Sequence, residues 1–426
     1  MKKLFLFCAA AVALAIGCSA PQQVKSDLRA PAYPLITIDP YTSAWSGADN
    51  LYDRQVMHWT EKDFPFVGVL RVDGKPYRFM GVEQDLMTPI AAMGKEQVWE
   101  ADYTLDKPAG DWTKPEYNAS KWKKGAAPFG KNYTDIKTQW DSPNIWLRRN
   151  IVLSDEDMKS ERYILRYSHD DIFKLYINGE QVIATDSTWN ENLTIEIPKE
   201  KIASWGKELT IAAHCRNTLG GALVDFGLYR TSNIEKRLTT TATQTSAEVQ
   251  ATRTIYTFNC GGVDLKLTFM APVLLDNLDL ISRPVNYVTY EVTSNDGAEH
   301  DVEIYFEAGP HWARNVNSQK VKSEVVVDER FVYAKTGTVE QPVLAKNGDD
   351  IRIDWGYFFL TGDKAKYTTA TGNPFAIRSE FVDNGTISSH EGDYLAISTS
   401  VGKVGAKPVS DYIMVGYDDI YSILYY

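Results

Sequence analysis

Alternation with a period of two runs through most of the chain. In Tyr163–Ile183, Tyr163, Leu165 and Tyr167 alternate with Ile164, Arg166 and Ser168, the spacing of a half-buried strand rather than of a 3.6-residue helix. The alternation resumes after His169-Asp170-Asp171, with Phe173, Leu175 and Ile177 on one face and Lys174 on the other. Those three intervening residues read as a loop between strands. Asn178-Gly179 tolerates positive φ at both positions, so a type I′ turn sends the chain back through Gln181–Ala184.

The same texture extends in both directions. Phe66–Val72 reads as a strand and Asp73-Gly74 as its turn, while Pro40, Gly47 and the small polar residues of Ser43–Asn50 predict a loop. Ile145–Arg149 opens a series of short strands that closes near Tyr229 and is the size of one β-sandwich. Beyond Lys236, strands are expected at Val249–Phe258, Val263–Met270, Asn286–Val292, Val302–Phe306, Ile351–Leu360 and Tyr394–Ser398, with a turn at Asn295-Asp296-Gly297. Apart from a short turn near Ile202–Gly206, no helical stripe follows the first 18 residues. No fixed period links the regions, which excludes propellers and solenoids. The class is all-β.

Composition narrows the function classes. A chain of 426 residues, 44% hydrophobic and 24% charged, holds two or three globular domains. Its net charge of −11 repels phosphate backbones, so nucleic acid is not an expected partner. The 24 tyrosines and 11 tryptophans serve mostly as core and cross-strand residues, and the remainder are candidate platforms for sugars.

The first 18 residues read as a lipoprotein signal peptide. Lys2 and Lys3 precede the apolar run Leu4–Ile16, too short to span a bilayer, and Ala15-Ile16-Gly17-Cys18 forms a lipobox. Cys18 is the expected lipid attachment site, tethering the body to a membrane in the periplasm or at the outer membrane. Cys215 and Cys260 then remain in an oxidising compartment, and a disulfide and two lone buried thiols are both open.

Strong catalytic motifs are missing. There is no GxSxG elbow, P-loop, HExxH or CxxC pair, and the six histidines are scattered singly. No metal or cofactor is expected. The doublets Asp170-Asp171, Asp349-Asp350 and Asp418-Asp419 place adjacent side chains on opposite faces if they lie in strands, so turns or solvated ends are the expectation. Asp170 and Asp171, in their predicted loop, are also candidate ligand contacts, with Trp112, Trp122, Trp140 and Trp146 as candidate stacking residues.

Several stretches resemble the glutaminase A family. Pro34–Gly47, containing Pro40-Tyr41 and Trp45, and GVLRVDGKPYRFMG at Gly68–Gly81 resemble its N-terminal module. Ala251–Phe258, Leu267–Val273 and Ser282–Val288 resemble its large β-sandwich, and Trp112–Tyr229 resembles a galactose-binding-like sandwich inserted between the two. The resemblance implies two sandwiches, a jelly roll and a larger supersandwich, plus a short N-terminal module. The expected divisions are a leader at 1–18, a linker at 19–33, the module at 34–97, the jelly roll at 98–231 and the supersandwich at 232–426.

The resemblance also implies a C-terminal six-hairpin helical domain as partner and hydrolysis of L-glutamine to glutamate and ammonia. No catalytic residue is assigned, because no motif position in this portion aligns to one. The apolar run Ile420–Tyr426 suggests a chain cut short of that helical domain and inactive alone. The alternatives are a carbohydrate-binding protein and a glycosidase-type enzyme of the cell envelope, so the small-molecule partner is an amide or a glycan.

Overall fold

A computed structural model describes residues 29–84, 87–133, 136–231, 235–317, 319–346 and 351–419. The leader with Cys18, part of the 19–33 spacer, Asp349-Asp350 and Ile420–Tyr426 lie outside the described residues. The architecture is all-β: twenty-seven strands are described against three α-helices, of which the longest has 11 residues.

The larger sandwich shows the predicted alternation directly. Arg253–Cys260 and Val263–Met270 pair antiparallel and bury every second residue, so Tyr256 and Phe258 face the core while Asp264 and Lys266 face water. They belong to an eight-stranded antiparallel sheet. A five-stranded sheet lies opposite, built from Phe66–Val72, Lys75–Met80, His300–Ala308, Thr368–Gly372 and Tyr394–Val404. Leu265, Tyr290, Leu360 and Val415 from the first meet Leu70, Ile304, Phe306 and Ile397 from the second in one core.

The reverse face of the five-stranded sheet is also covered. Val67, Val69, Tyr305 and Ala396 pack against Ile377 and Phe381 of the helix Pro374–Asn384. Burial on both faces explains why Phe66–Val72 reads as a nearly continuous apolar run. The sequence reading misses this helix because Arg378 sits on its buried side among Phe375, Ile377 and Phe381, interrupting any apolar stripe.

The jelly roll has its own core. Leu147, Phe173, Leu175 and Ile211 face Leu165, Val224, Phe226 and Leu228. The turn at Asn178-Gly179 has positive φ at both residues, +46° and +88°, as expected. The strand Met87–Ala91 hydrogen-bonds to Ala222–Thr231.

Other expectations are corrected. His169–Asp171 is no loop: Tyr163–Ile177 is one strand of 15 residues. Ser43–Ser46 is a strand paired with Tyr33–Thr37, its small polar residues sitting in a short hairpin. The expected strand Val249–Phe258 straddles a turn at Ala251-Thr252, which lacks the Gly, Pro or Asn signal of a turn. Regular pairing near Ile351 begins only at Tyr357. Near Ile202 there is a helix, Lys199–Trp205. Cys215 and Cys260 are free and fully buried in separate cores, so they form no disulfide.

One turn cluster makes the fold sensitive to pH. His300 Nδ1 lies 2.6 Å from Asp73 Oδ2 and its Nε2 lies 3.0 Å from Asp296 Oδ1. Carboxylates only accept, so the geometry calls for the doubly protonated ring. Hydrogen bonds to Asp73 and then to Asp296 raise the imidazole pKa, and the bond from His300 lowers that of Asp296 to about 2. The histidine's contribution is therefore complete below its unfolded value of about 6.5 and is lost as pH rises through the higher folded value. Thermal melts from pH 6 to 9 should show wild type losing ground to His300→Asn as pH rises. Parallel curves would contradict the assignment.

Candidate functional site

The strand Tyr163–Ile177 changes partners midway, and this change builds the site. From Tyr163 to Asp171 it pairs with Thr188–Ile197, and as far as Asp170 also with Ala222–Thr231. From Ile172 onward it pairs with Glu208–Arg216, joined from Lys174 by Glu180–Ala184. His169-Asp170-Asp171 therefore lies at a corner of the jelly roll, where the strand passes from one sheet to the other.

The two carboxyls at the corner are held differently. Tyr133 donates its hydroxyl to Asp170 Oδ2 at 2.9 Å. Asp171 Oδ2 accepts from Thr218 N at 2.6 Å, Thr218 Oγ1 at 2.5 Å and Leu219 N at 3.4 Å. Burial raises the Asp170 pKa; Tyr133's bond opposes this, and the charge of Asp171 adds to it. For Asp171 burial acts upward as well, but the bonds from Thr218 and Leu219 outweigh it and the pKa falls. Adjacent carboxyls with diverging pKa values give one group that keeps its proton longer and one that stays ionised.

His169 supports the corner from within. Its ring stacks between Tyr167 and Phe173, with centroids 5.8 and 5.3 Å away, and Nδ1 lies 2.7 Å from Asp171 O. Burial lowers its pKa. Gly221 gives the site room: a Cβ there would stand 2.7 Å from the Tyr133 ring and 3.1 Å from Asp170 Oδ2.

The predicted tryptophans lie away from the carboxyls. Trp112 and Trp122 come together at 6.4 Å with Tyr117 and Tyr176 around them, and Trp112 O accepts from Arg148 Nη1. Trp146, buried, stacks on His214 at 4.7 Å. Trp112 and Trp122 fasten the 111–122 loop to Tyr176 and Arg148 of the sheet beneath it. Trp140 is a core residue whose indole donates to Ser142 O. An exposed indole on the jelly roll is Trp189, 55% accessible and directly across the ladder from Asp170. The sequence reading misses it, although an indole within the polar run Ser187-Thr188-Trp189-Asn190 was a usable signal.

Comparison with known proteins places the two ends of the chain. Residues 252–426 match a family described as Domain of unknown function (DUF5127), and residues 6–92 one described as Domain of unknown function (DUF4964). Glutaminase A of Aspergillus oryzae is 28% identical over 166 residues, 38% of this chain and 24% of the relative. The chain thus spans about a quarter of that relative's length. Among solved structures, Bacteroides uniformis β-glucuronidase 2 aligns at a TM-score of 0.30 and 15% identity, over 53% of this chain and 32% of that one. Ruminococcus gnavus β-glucuronidase aligns at 0.28 and 11%, over 57% and 46%.

Two substitutions test the corner. Asp171→Ala removes the acceptor of three donors and should cost about 1–3 kcal/mol in urea unfolding at pH 7. The loss should shrink as pH falls below about 4, where wild type loses the same contribution. Tyr133→Phe should raise the Asp170 pKa further in a carboxyl NMR titration; an unchanged value would remove Tyr133 from the site.

Proposed function

We propose that this chain is the β-rich, non-catalytic portion of a secreted glutaminase A-like hydrolase that converts L-glutamine to L-glutamate and ammonia. The observation that carries the reading is the 28% identity with Glutaminase A over 166 residues. The way the site's polar groups are used favours a supporting role. Asp171 Oδ2 is filled by three donors from its own chain. The Cys215 and Cys260 thiols are held protonated by burial, the latter pushed up to about 12.

The division into a leader at 1–18, a linker at 19–33, a module at 34–97, a jelly roll at 98–231 and a supersandwich at 232–426 belongs to the same proposal. So does a lipid anchor at Cys18 facing the periplasm or held at the outer membrane. A helical domain is the proposed partner. Its docking is supported by an apolar groove of about 330 Å³ on the outer face of the eight-stranded sheet, lined by Val285, Phe331, Tyr333, Phe359 and Met414. Purified chain should release no ammonia from glutamine, and a version extended by the helical domain should. Release by the present chain would refute the supporting role.

Trp189 favours a second reading, carbohydrate binding at the jelly-roll corner. A neutral oligosaccharide stacked on it should shift tryptophan emission in wild type and not in Trp189→Ala. Flat titrations across cello-, xylo- and manno-oligosaccharides would count against it.

A further inference from the structure

The two ends of the eight-stranded sheet are closed in opposite ways. At one end short polar turns join the strands: Gly261-Gly262 links Arg253–Cys260 to Val263–Met270, and residues 328–330 link Val321–Val327 to Phe331–Thr338. At the other end the connections are long. Residues 271–284 join Val263–Met270 to Val285–Ser294, and residues 339–346 begin the connection from Phe331–Thr338 to Tyr357–Asp363. The register puts both at one end: Met270 pairs with Tyr287, Val285 with Gly416, and Asp418 with Tyr357. A hairpin needs only two residues to turn, so the added length serves something other than closure.

These long connections hold apolar side chains out in solvent. Val273, Leu274, Leu275, Leu278 and Ile281 are all exposed, Leu275 at 78% and Leu278 at 76%, and the short helix Leu278–Ile281 has no buried residue. Val339, Val343 and Leu344 are exposed on the second connection. Tyr41, edge-on to Trp355 at 5.5 Å, and Trp59, whose indole donates to Pro40 O at 2.8 Å, are exposed beside it on the N-terminal strands. Among the described residues, the polar end exposes Val327 in their place. Single exposed aliphatics are ordinary, whereas a concentration of them marks an interaction surface. The apolar groove opens onto the same end, since Arg283, Pro284 and Asp418 line it together with Val285 and Met414.

The charges set among these side chains narrow the occupant. Asp276, Asp279, Glu340, Asp418 and Asp419 outnumber Arg283 and Lys346, and Lys346 Nζ lies 3.7 Å from Asp354. A second copy of this face, or an anionic membrane, would bring like charge against it. Strand addition needs a sheet edge, and the edge strands Thr243–Gln250 and Val321–Val327 run along the sides of the sheet rather than across this end. We propose that this end of the larger sandwich docks an amphipathic helix of a protein partner, aliphatic on the side that meets Leu275 and Leu278 and edged by lysine or arginine. The face does not depend on the glutaminase-like reading above.

The test titrates the full chain into two labelled helical peptides and follows fluorescence anisotropy. One peptide carries leucines on one side and lysines on the other; the second has glutamates in place of the lysines. The lysine peptide should bind and the glutamate peptide should not. Leu275→Ser with Leu278→Ser should weaken binding by roughly tenfold or more, while Leu219→Ser, on an exposed residue of the jelly roll, should leave it unchanged. Asp276→Lys with Asp279→Lys reverses the edge without touching the aliphatic side chains and should shift preference towards the glutamate peptide. No binding of either peptide, or equal binding by wild type and the double serine variant, overturns the docking face. Sedimentation equilibrium should show a monomer. A dimer that the double serine variant abolishes would give the face to a second copy and overturn the helix assignment.

Discussion

A single buried arginine holds three separate parts of the chain together. Arg378, on the helix Pro374–Asn384, meets Glu307 through two parallel hydrogen bonds, Nε to Oε2 at 2.8 Å and Nη2 to Oε1 at 2.5 Å. Its Nη1 reaches Glu83 Oε1 at 3.5 Å. The second carboxylate is affordable only because other donors share the load: the Tyr305 hydroxyl donates to Glu307 at 2.7 Å, and Leu238 N donates to Glu83 at 2.9 Å. Arg378, Glu83 and Glu307 are all nearly inaccessible. Burial disfavours the charge, yet Glu307 outweighs it and the guanidinium pKa rises. In such a setting, removing one partner strands the others, at about 3–5 kcal/mol.

That cluster explains how one body is assembled from distant segments. Glu83 follows the N-terminal strands, Leu238 lies just after the jelly roll, and Glu307 and Arg378 belong to the sandwich. The five-stranded sheet repeats the arrangement in hydrogen bonds, since Phe66–Val72 pairs with His300–Ala308 across more than two hundred residues. The segment that follows Met87–Ala91 is held to the jelly roll by charged pairs, Arg166 with Glu96 and Lys95 with Glu191. Arg314 of the larger sandwich lies within the field of the same Glu96 and Arg166.

Much of this was legible in the chain, for a physical reason. Where one sheet face is buried and the other wet, as in Arg253–Met270, period two survives in the residues and the strands can be read off. Where both faces are buried, or a charge is buried, the signal fails. The helix around Arg378 was hidden by its own ion pair, and His169–Asp171 passed for a loop because its polar residues occur inside a strand that changes sheets. The site was half legible. Asp170 and Asp171 were found by their chemistry, but exposure separates Trp189 from Trp112, Trp122 and Trp146, and exposure is a property of packing that residue type does not carry.

Native-state hydrogen exchange on Arg378→Met addresses the central claim, that this buried cluster makes the N-terminal strands and the sandwich one cooperative unit. Protection should fall together in Phe66–Val72, His300–Ala308 and Pro374–Asn384 while Tyr163–Ile177 in the jelly roll keeps its own. Loss confined to the helix, with Phe66–Val72 still protected as in wild type, would contradict it.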